Sequence, residues 1–275
     1  MLALSTFVFG FSNVMAKYLT HAYPIGEALL IRSGVALLLL TPFMRPVDVV
    51  LALRSDPWAH LLRMIVTAAE INCFYWAVSV LQLADVTTFY LSTPIVLTAI
   101  AATVLREKVD PLRWVATCLG FVGVLIALRP SAGALAWPAL VALAGSTLYS
   151  VFLALSRRLR RTPGKVMVFL QLASLAVAGG ATVPFAWTTP SLDGLALMAT
   201  VGLIGFLGYI LVNRALQLAP ASVVAPFQYL SIIWSIALGY LTFGDVPSAT
   251  TLGGAALIIA AGAVILLLER RAGQP

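Results

Sequence analysis

Apolar stretches follow one another along this chain, each closed by proline, glycine or a cluster of charge. Dividing it at those breaks gives segments near 2–20, 26–43, 58–81, 86–105, 112–129, 137–156, 165–187, 192–216, 221–243 and 249–268. A helix rises about 1.5 Å per residue, so about 20 such residues cross the ~30 Å hydrocarbon core of a bilayer. The turns between segments are short, among them Thr162-Pro163-Gly164 and Thr189-Pro190-Ser191, and leave no length for a soluble domain. The pattern predicts an all-α integral membrane protein with ten transmembrane helices. The first segment lacks a basic start and a small-residue cleavage site, so it is expected to span rather than to act as a signal peptide. The missing charged start also suggests that a few native residues precede it.

Composition agrees: 61% of the 275 residues are hydrophobic and 10% charged, with a mean hydropathy of +1.01, against about 25% charged in a soluble domain. The net charge of +7 is no nucleic-acid signature, because no soluble module gathers it. It reads as topology, since loops kept in the cytoplasm carry the Lys/Arg excess. With the N-terminus inside, Arg45, Arg54, Arg63, Arg106, Lys108, Arg113, Arg157, Arg158, Arg160, Arg161, Lys165, Arg214, Arg270 and Arg271 fall inside. Only Lys17, Arg32 and Arg129 fall outside or within a span. Both termini are therefore expected to be cytoplasmic. Cys73 and Cys118 lie in apolar runs without metal-ligand spacing and are expected to be small buried hydrophobes.

One internal repeat changes the reading. Leu81-Gln82-Leu83-Ala84 recurs as Leu216-Gln217-Leu218-Ala219, each before a helix that carries a proline, Pro94 or Pro226, and closes near an acid, Glu107 or Asp245. The acids are offset by about three residues from the register of the first match. Residues 1–130 and 131–275 thus read as two five-helix repeats. An odd number of spans per unit gives them opposite topology, an arrangement found in many secondary transporters, with substrate near the midplane.

Ionisable groups inside spans are costly and mark pathways or counter-ions. Arg32 lies roughly 9 Å and Glu70 about 16 Å below the outer ends of their helices. Glu70 reads either as a substrate-amine or proton site, or as a structural ion pair with Arg32. Lys17 reads as an interfacial anchor, with carboxylate binding as the alternative, and Glu27 is expected at the interface. Tyr90, Pro94 and Thr98 share one helical face of the fourth span, and the ninth carries Pro226, Gln228, Tyr229 and Trp234. A proline frees a backbone carbonyl in the bilayer, and paired proline-interrupted helices point to a binding site. Further candidate lining groups are Ser12, Asn13, Asn72, Tyr75, Trp76, Ser146, Tyr149, Ser150, Gln171, Tyr209 and Asn213. Together they describe an aromatic, polar pocket with little fixed charge, suited to stacking or to an ammonium group. Gly202, Gly205 and Gly208 suit the eighth helix to close packing. Gly120 and Gly123, with Gly253, Gly254 and Gly262, suit the fifth and tenth to contacts within or between subunits.

No GxxxxGK[ST], HExxH or GxSxG stands in the sequence, so neither ATP-driven pumping, a metal or other cofactor, nor catalysis is expected. The pattern resembles the drug/metabolite transporter superfamily, in its EamA-type ten-helix branch. The marks are Asn13 to Lys17, Pro24 with Arg32, the two Leu-Gln-Leu-Ala runs, Pro94 with Glu107, and Gly253 to Gly262. Within it the chain is most similar to the YddG-type exporters of aromatic and other amino acids. That resemblance implies an inner-membrane secondary transporter exporting amino acids by alternating access. It also implies a cavity formed mainly by helices three, four, eight and nine, and peripheral helices five and ten that could join a homo-oligomer. Export of drugs or lipophilic cations is the alternative, followed by a membrane enzyme or a lipid-scrambling or structural protein.

Overall fold

The computed structural model describes residues 1–81, 83–128, 137–243, 252–254, 256–257 and 259–261. Gln82, Asp245, Gly262 and most of the expected tenth span lie outside them. The regular structure of the described residues is all helical: α1 (Leu2–Ala22), α2 (Ile25–Leu40), α3 (Pro46–Ser55), α4 (Pro57–Val80), α5 (Leu83–Tyr90), α6 (Thr93–Thr103), α7 (Pro111–Leu128), α8 (Trp137–Arg158), α9 (Gly164–Thr182), α10 (Leu192–Leu218), α11 (Ala221–Val224) and α12 (Leu230–Phe243). Six of them, α1, α2 with its 3₁₀ extension Thr41–Phe43, α4, α8, α9 and α10, are long and apolar enough to cross a membrane.

The stretch between the second and third spans, expected to be a loop, forms α3. Pro46 opens it at the one helical position where a missing N–H costs nothing. Ala52 turns inward while Val47, Val50 and Leu51 stay exposed, the distribution of a helix lying along the bilayer surface. The expected fourth and ninth spans are broken. Leu91 and Ser92 separate α5 from α6, whose first turn holds Pro94, and Pro226 opens a 3₁₀ stretch, Ala225–Tyr229, between α11 and α12.

Side-chain caps fix two entries: Asp56 accepts from the Ala59 N–H at 3.2 Å at the start of α4, and Ser191 from the Gly194 N–H at 3.1 Å at the start of α10. The long helices pair as α1 with α10, α4 with α8 and α2 with α9, while α6 meets α8 and the 3₁₀ stretch. Small residues let these pairs close. A Cβ on Gly202 would collide with the Arg32 backbone carbonyl, and one on Gly179 with the backbone of Gly26 and Leu30. On α7, Leu112, Val115, Leu119, Val122 and Ile126 remain exposed, as apolar side chains facing lipid do. Cys118 shares that exposure and Cys73 is half-buried, so neither is the buried hydrophobe expected: an apolar run in a membrane has a lipid face as well as a protein face.

Candidate functional site

Helix α4 supplies the central axis. Arg63, Thr67, Glu70 and Phe74 recur at i, i+4, i+7 and i+11, one face of a helix, and all four are buried. Glu70, 8% exposed, lies within electrostatic reach of the hydroxyls of Tyr90 on α5, Tyr149 on α8 and Tyr209 on α10, and of the Arg32 guanidinium on α2. The Tyr90 hydroxyl donates to the Glu70 backbone carbonyl at 3.4 Å, and its ring meets Phe74 edge-on at 5.2 Å and Tyr149 at 6.4 Å. Tyr149 stacks on Phe152 at 5.9 Å and interacts with Gln228, whose Nε2 is buried without a partner among the described residues.

Arg32 commits elsewhere than to Glu70. It donates to the Tyr75 hydroxyl and, at 3.5 Å, to that of Tyr209, and stands 5.5 Å from the Tyr75 ring centroid. Among the described residues no salt bridge joins Arg32 to Glu70, so the carboxylate faces phenols and a more distant charge.

Below this cluster lies a group that the charge tally assigns to the loops. Arg63 is only 1% exposed. Its Nε donates to Ser156 Oγ at 2.9 Å, Nη1 to the Met167 carbonyl at 3.0 Å, and Nη2 to Gln171 Oε1 and to Asn213 Oδ1, both at 3.0 Å. The Phe152 ring covers the guanidinium at 4.8 Å. One side chain thereby ties α4 to α8, α9 and α10, and every acceptor is neutral. The sequence carries a signal for it: Arg63 falls within its span rather than before it, and Gln171 and Asn213 are themselves polar groups inside spans.

The same end of the bundle carries a latch. Arg106 closes α6 in the left-handed region at φ 53°, and the Glu107 N–H turns back to the Ala101 carbonyl at 2.9 Å, a helix stop that usually uses glycine. Glu107 is thereby aimed at the start of α11, where its carboxylate accepts from the Ala221 and Ser222 N–H groups, both at 3.1 Å. Arg157 on α8 donates to Glu107 at 3.3 Å and to the Leu216 carbonyl at 2.9 Å. Nearby, Arg158 donates to Asp56 at 3.0 and 3.2 Å. That hydrogen bonding, with the Ala59 N–H, holds the Asp56 carboxyl below the usual carboxylate range.

The remaining expected site residues separate into those near the cluster and those away from it. Thr98 is buried but donates to the Pro94 carbonyl at 2.7 Å, and Asn72 to the Ala68 carbonyl at 2.8 Å, so both bond carbonyls of their own helices. Tyr229 turns toward α7: its hydroxyl donates to the Thr117 carbonyl at 2.8 Å and its ring fills the space over Gly120. Trp234 belongs to the contact of α12 with α1, donating to Thr6 Oγ1 at 3.1 Å and meeting Phe7 edge-on. Pro226 is buried, while Trp76 and Lys17 are half-buried. Glu27 stands in the first turn of α2, at the helix end expected of it, but is turned into the protein. It is 0% exposed, Oε2 accepts from the Thr188 N–H at 2.8 Å, and Oε1 has no partner among the described residues.

Multiple apolar spans, paired broken helices and a buried polar cluster between them define a multi-pass membrane transporter. The chain belongs to the EamA-like transporter family, whose model matches residues 1–129 and 136–267. It is 27% identical over 259 residues to a riboflavin transporter of Rhizobium johnstonii, covering 93% of this chain and 86% of that protein. It is 27% identical over 247 residues to an S-adenosylmethionine uptake transporter of Rickettsia bellii, covering 89% and 84%. With a pseudopaline exporter of Pseudomonas aeruginosa it shares 25% identity over 91% of this chain and 89% of that one. A solved crystal structure superposes with a TM-score of 0.79 at 19% identity, over 99% of this chain and 98% of that one, a likeness of fold alone. None of these relatives is named for amino acids.

Proposed function

We propose that this protein is a secondary transporter of the inner membrane that carries a small organic solute by alternating access, with Glu70 and its tyrosines as the binding and coupling site. The observation that carries this reading is a buried carboxylate with no salt-bridge partner among the described residues, ringed by Tyr90, Tyr149 and Tyr209 between the two broken spans. Such a carboxylate suits a proton or a cationic amine, and the phenols suit a planar ring. A solute carrying both is the class favoured here. Aromatic amino acids meet that description, as do the lipophilic cations of the alternative reading, but the relatives lend amino-acid export no support.

The ten spans, the cytoplasmic termini and the inverted repeats 1–130 and 131–275 belong to the same proposal. Two family matches, one per half, support it. So does the helix pairing, because exchanging the halves turns α1 with α10 into α8 with α4 and returns α2 with α9 to itself. Glu107, Arg157 and Arg63 then close the cytoplasmic side in the conformation described.

Proteoliposomes with an imposed proton gradient provide the test, using labelled phenylalanine, riboflavin, S-adenosylmethionine and a lipophilic cation. Glu70→Gln is expected to abolish gradient-driven accumulation, and Tyr90→Ala or Tyr209→Phe to reduce uptake at unchanged protein abundance. Full gradient-driven transport in both Glu70→Gln and Tyr90→Ala would sink the assignment of this site.

A further inference from the structure

A concavity lies apart from the Glu70 cluster and shares no residue with it. At the end of the bundle that bears the basic loops, a groove of about 400 Å³ opens between α2, α9 and α10. Its walls are Leu40, Val168, Phe206 and Ile210, and its rim carries Lys165, Arg214 and Gln217. The volume falls within the ~300–1,000 Å³ of small-molecule sites.

The rim charges are unequal. Lys165 pairs with Asp48 at 2.9 Å and reaches the Phe43 carbonyl at 3.5 Å, and Gln217 gives its amide to the Thr162 carbonyl at 2.9 Å. Arg214 is exposed and makes no hydrogen bond or ion pair among the described residues. It stands four residues before the end of α10, about 6 Å from the helix terminus, which is headgroup depth in a bilayer. An unpaired guanidinium at that depth, directly above an apolar groove, matches an anion that carries its own hydrocarbon.

We propose that this groove binds one anionic phospholipid, its phosphate held by Arg214 with help from Lys165 and an acyl chain laid along Val168, Phe206 and Ile210. Basic pockets between spans attract such headgroups, and guanidinium groups grip phosphate oxygens in pairs. Asp48 is the acid of the rim, and it neutralises Lys165, so selectivity rests on Arg214. The site does not depend on which solute is carried.

Native mass spectrometry of the purified protein with phosphatidylglycerol and phosphatidylcholine of equal chain length tests it. The wild type is expected to retain phosphatidylglycerol about fivefold over phosphatidylcholine, the factor one basic residue near a headgroup supplies. Arg214→Gln should bring that ratio close to one, while Arg161→Gln, which removes the same charge from an exposed position outside the groove, leaves it unchanged. Ile210→Trp keeps every charge but fills the groove, and should also lower retention. An equal loss in Arg161→Gln, or no preference in the wild type, overturns the proposal. A lipid-free dimer that Arg214→Gln dissolves also overturns it, assigning the groove to a second copy of the chain.

Discussion

The two ends of the helical bundle are held together by different physics. At the basic end, directed polar contacts cross between elements distant in sequence: Arg63 to three helices, Glu107 to the start of α11, Arg157 to Glu107 and to the end of α10. At the opposite end close packing dominates. Gly26 and Gly179 bring α2 onto α9, and the polar contacts among the described residues include the Thr188 N–H on Glu27, the Ser191 N–H on the Tyr23 hydroxyl at 3.4 Å and a 3.2 Å approach of the Tyr23 and Ser191 hydroxyls. A hydrogen-bonded latch has two discrete states, made or broken. A packed seam yields only if whole helices part. The basic end is therefore the one whose contacts can be released singly, without parting whole helices.

Removing the knot should have the largest consequence. Arg63→Met strips the partner from four buried acceptors and is expected to destabilise the fold by about 2–4 kcal/mol, with each orphan in lipid costing toward the lower end of the usual range. Thermal unfolding in detergent measures it, and an unchanged midpoint would contradict the role given to Arg63. Gly179→Val, at the opposite end, forces α2 and α9 apart and should cost about 1–3 kcal/mol. Its loss of stability should come without greater access from the basic end. Glu107→Ala removes the acceptor for two N–H groups of α11 and the partner of Arg157, worth about 1 kcal/mol. That should raise the alkylation rate of a cysteine placed at Ser150, in a background lacking Cys73 and Cys118, about fivefold from the basic side. Equal alkylation in both proteins would break the latch interpretation. The smallest effect belongs to Asp56. Its carboxyl titrates lower when folded, so its contribution is present above the ordinary carboxylate value and fades as pH falls through the folded one. Asp56→Asn should abolish that fading and shift stability at neutral pH by a few tenths of a kcal/mol.

Much of this architecture is legible in the chain. The apolar runs locate the six long spans to within a few residues, and Pro94 and Pro226 mark both breaks, because a residue without an N–H must leave the ladder wherever it stands. Glu70, Tyr75, Tyr90, Tyr149, Tyr209 and Gln228, with Arg32, do gather. Tyr229 and Trp234 depart from the expected stripe for a physical reason: the 3₁₀ stretch at Ala225–Tyr229 turns every three residues, and so rotates α12 out of the phase that an unbroken α-helix would give it. Arg63 escapes a charge tally because it assumes that ionisable groups near helix ends reach water, and Glu27, near its helix end, is likewise shielded from water. Each instead finds its partners on elements far along the chain, and no local pattern announces such company.

Arg63 and Glu70 on one helix also bear on how the protein is made. An Arg or acid at the centre of a span costs about 2.5–3.5 kcal/mol on entry to the bilayer. The side chains that offset this for Arg63 are synthesised 93 to 150 residues later. The Arg63 guanidinium therefore gains its buried acceptors only after α8, α9 and α10 have been made. The polar interior of α4 is thus completed by helices that follow it in the chain.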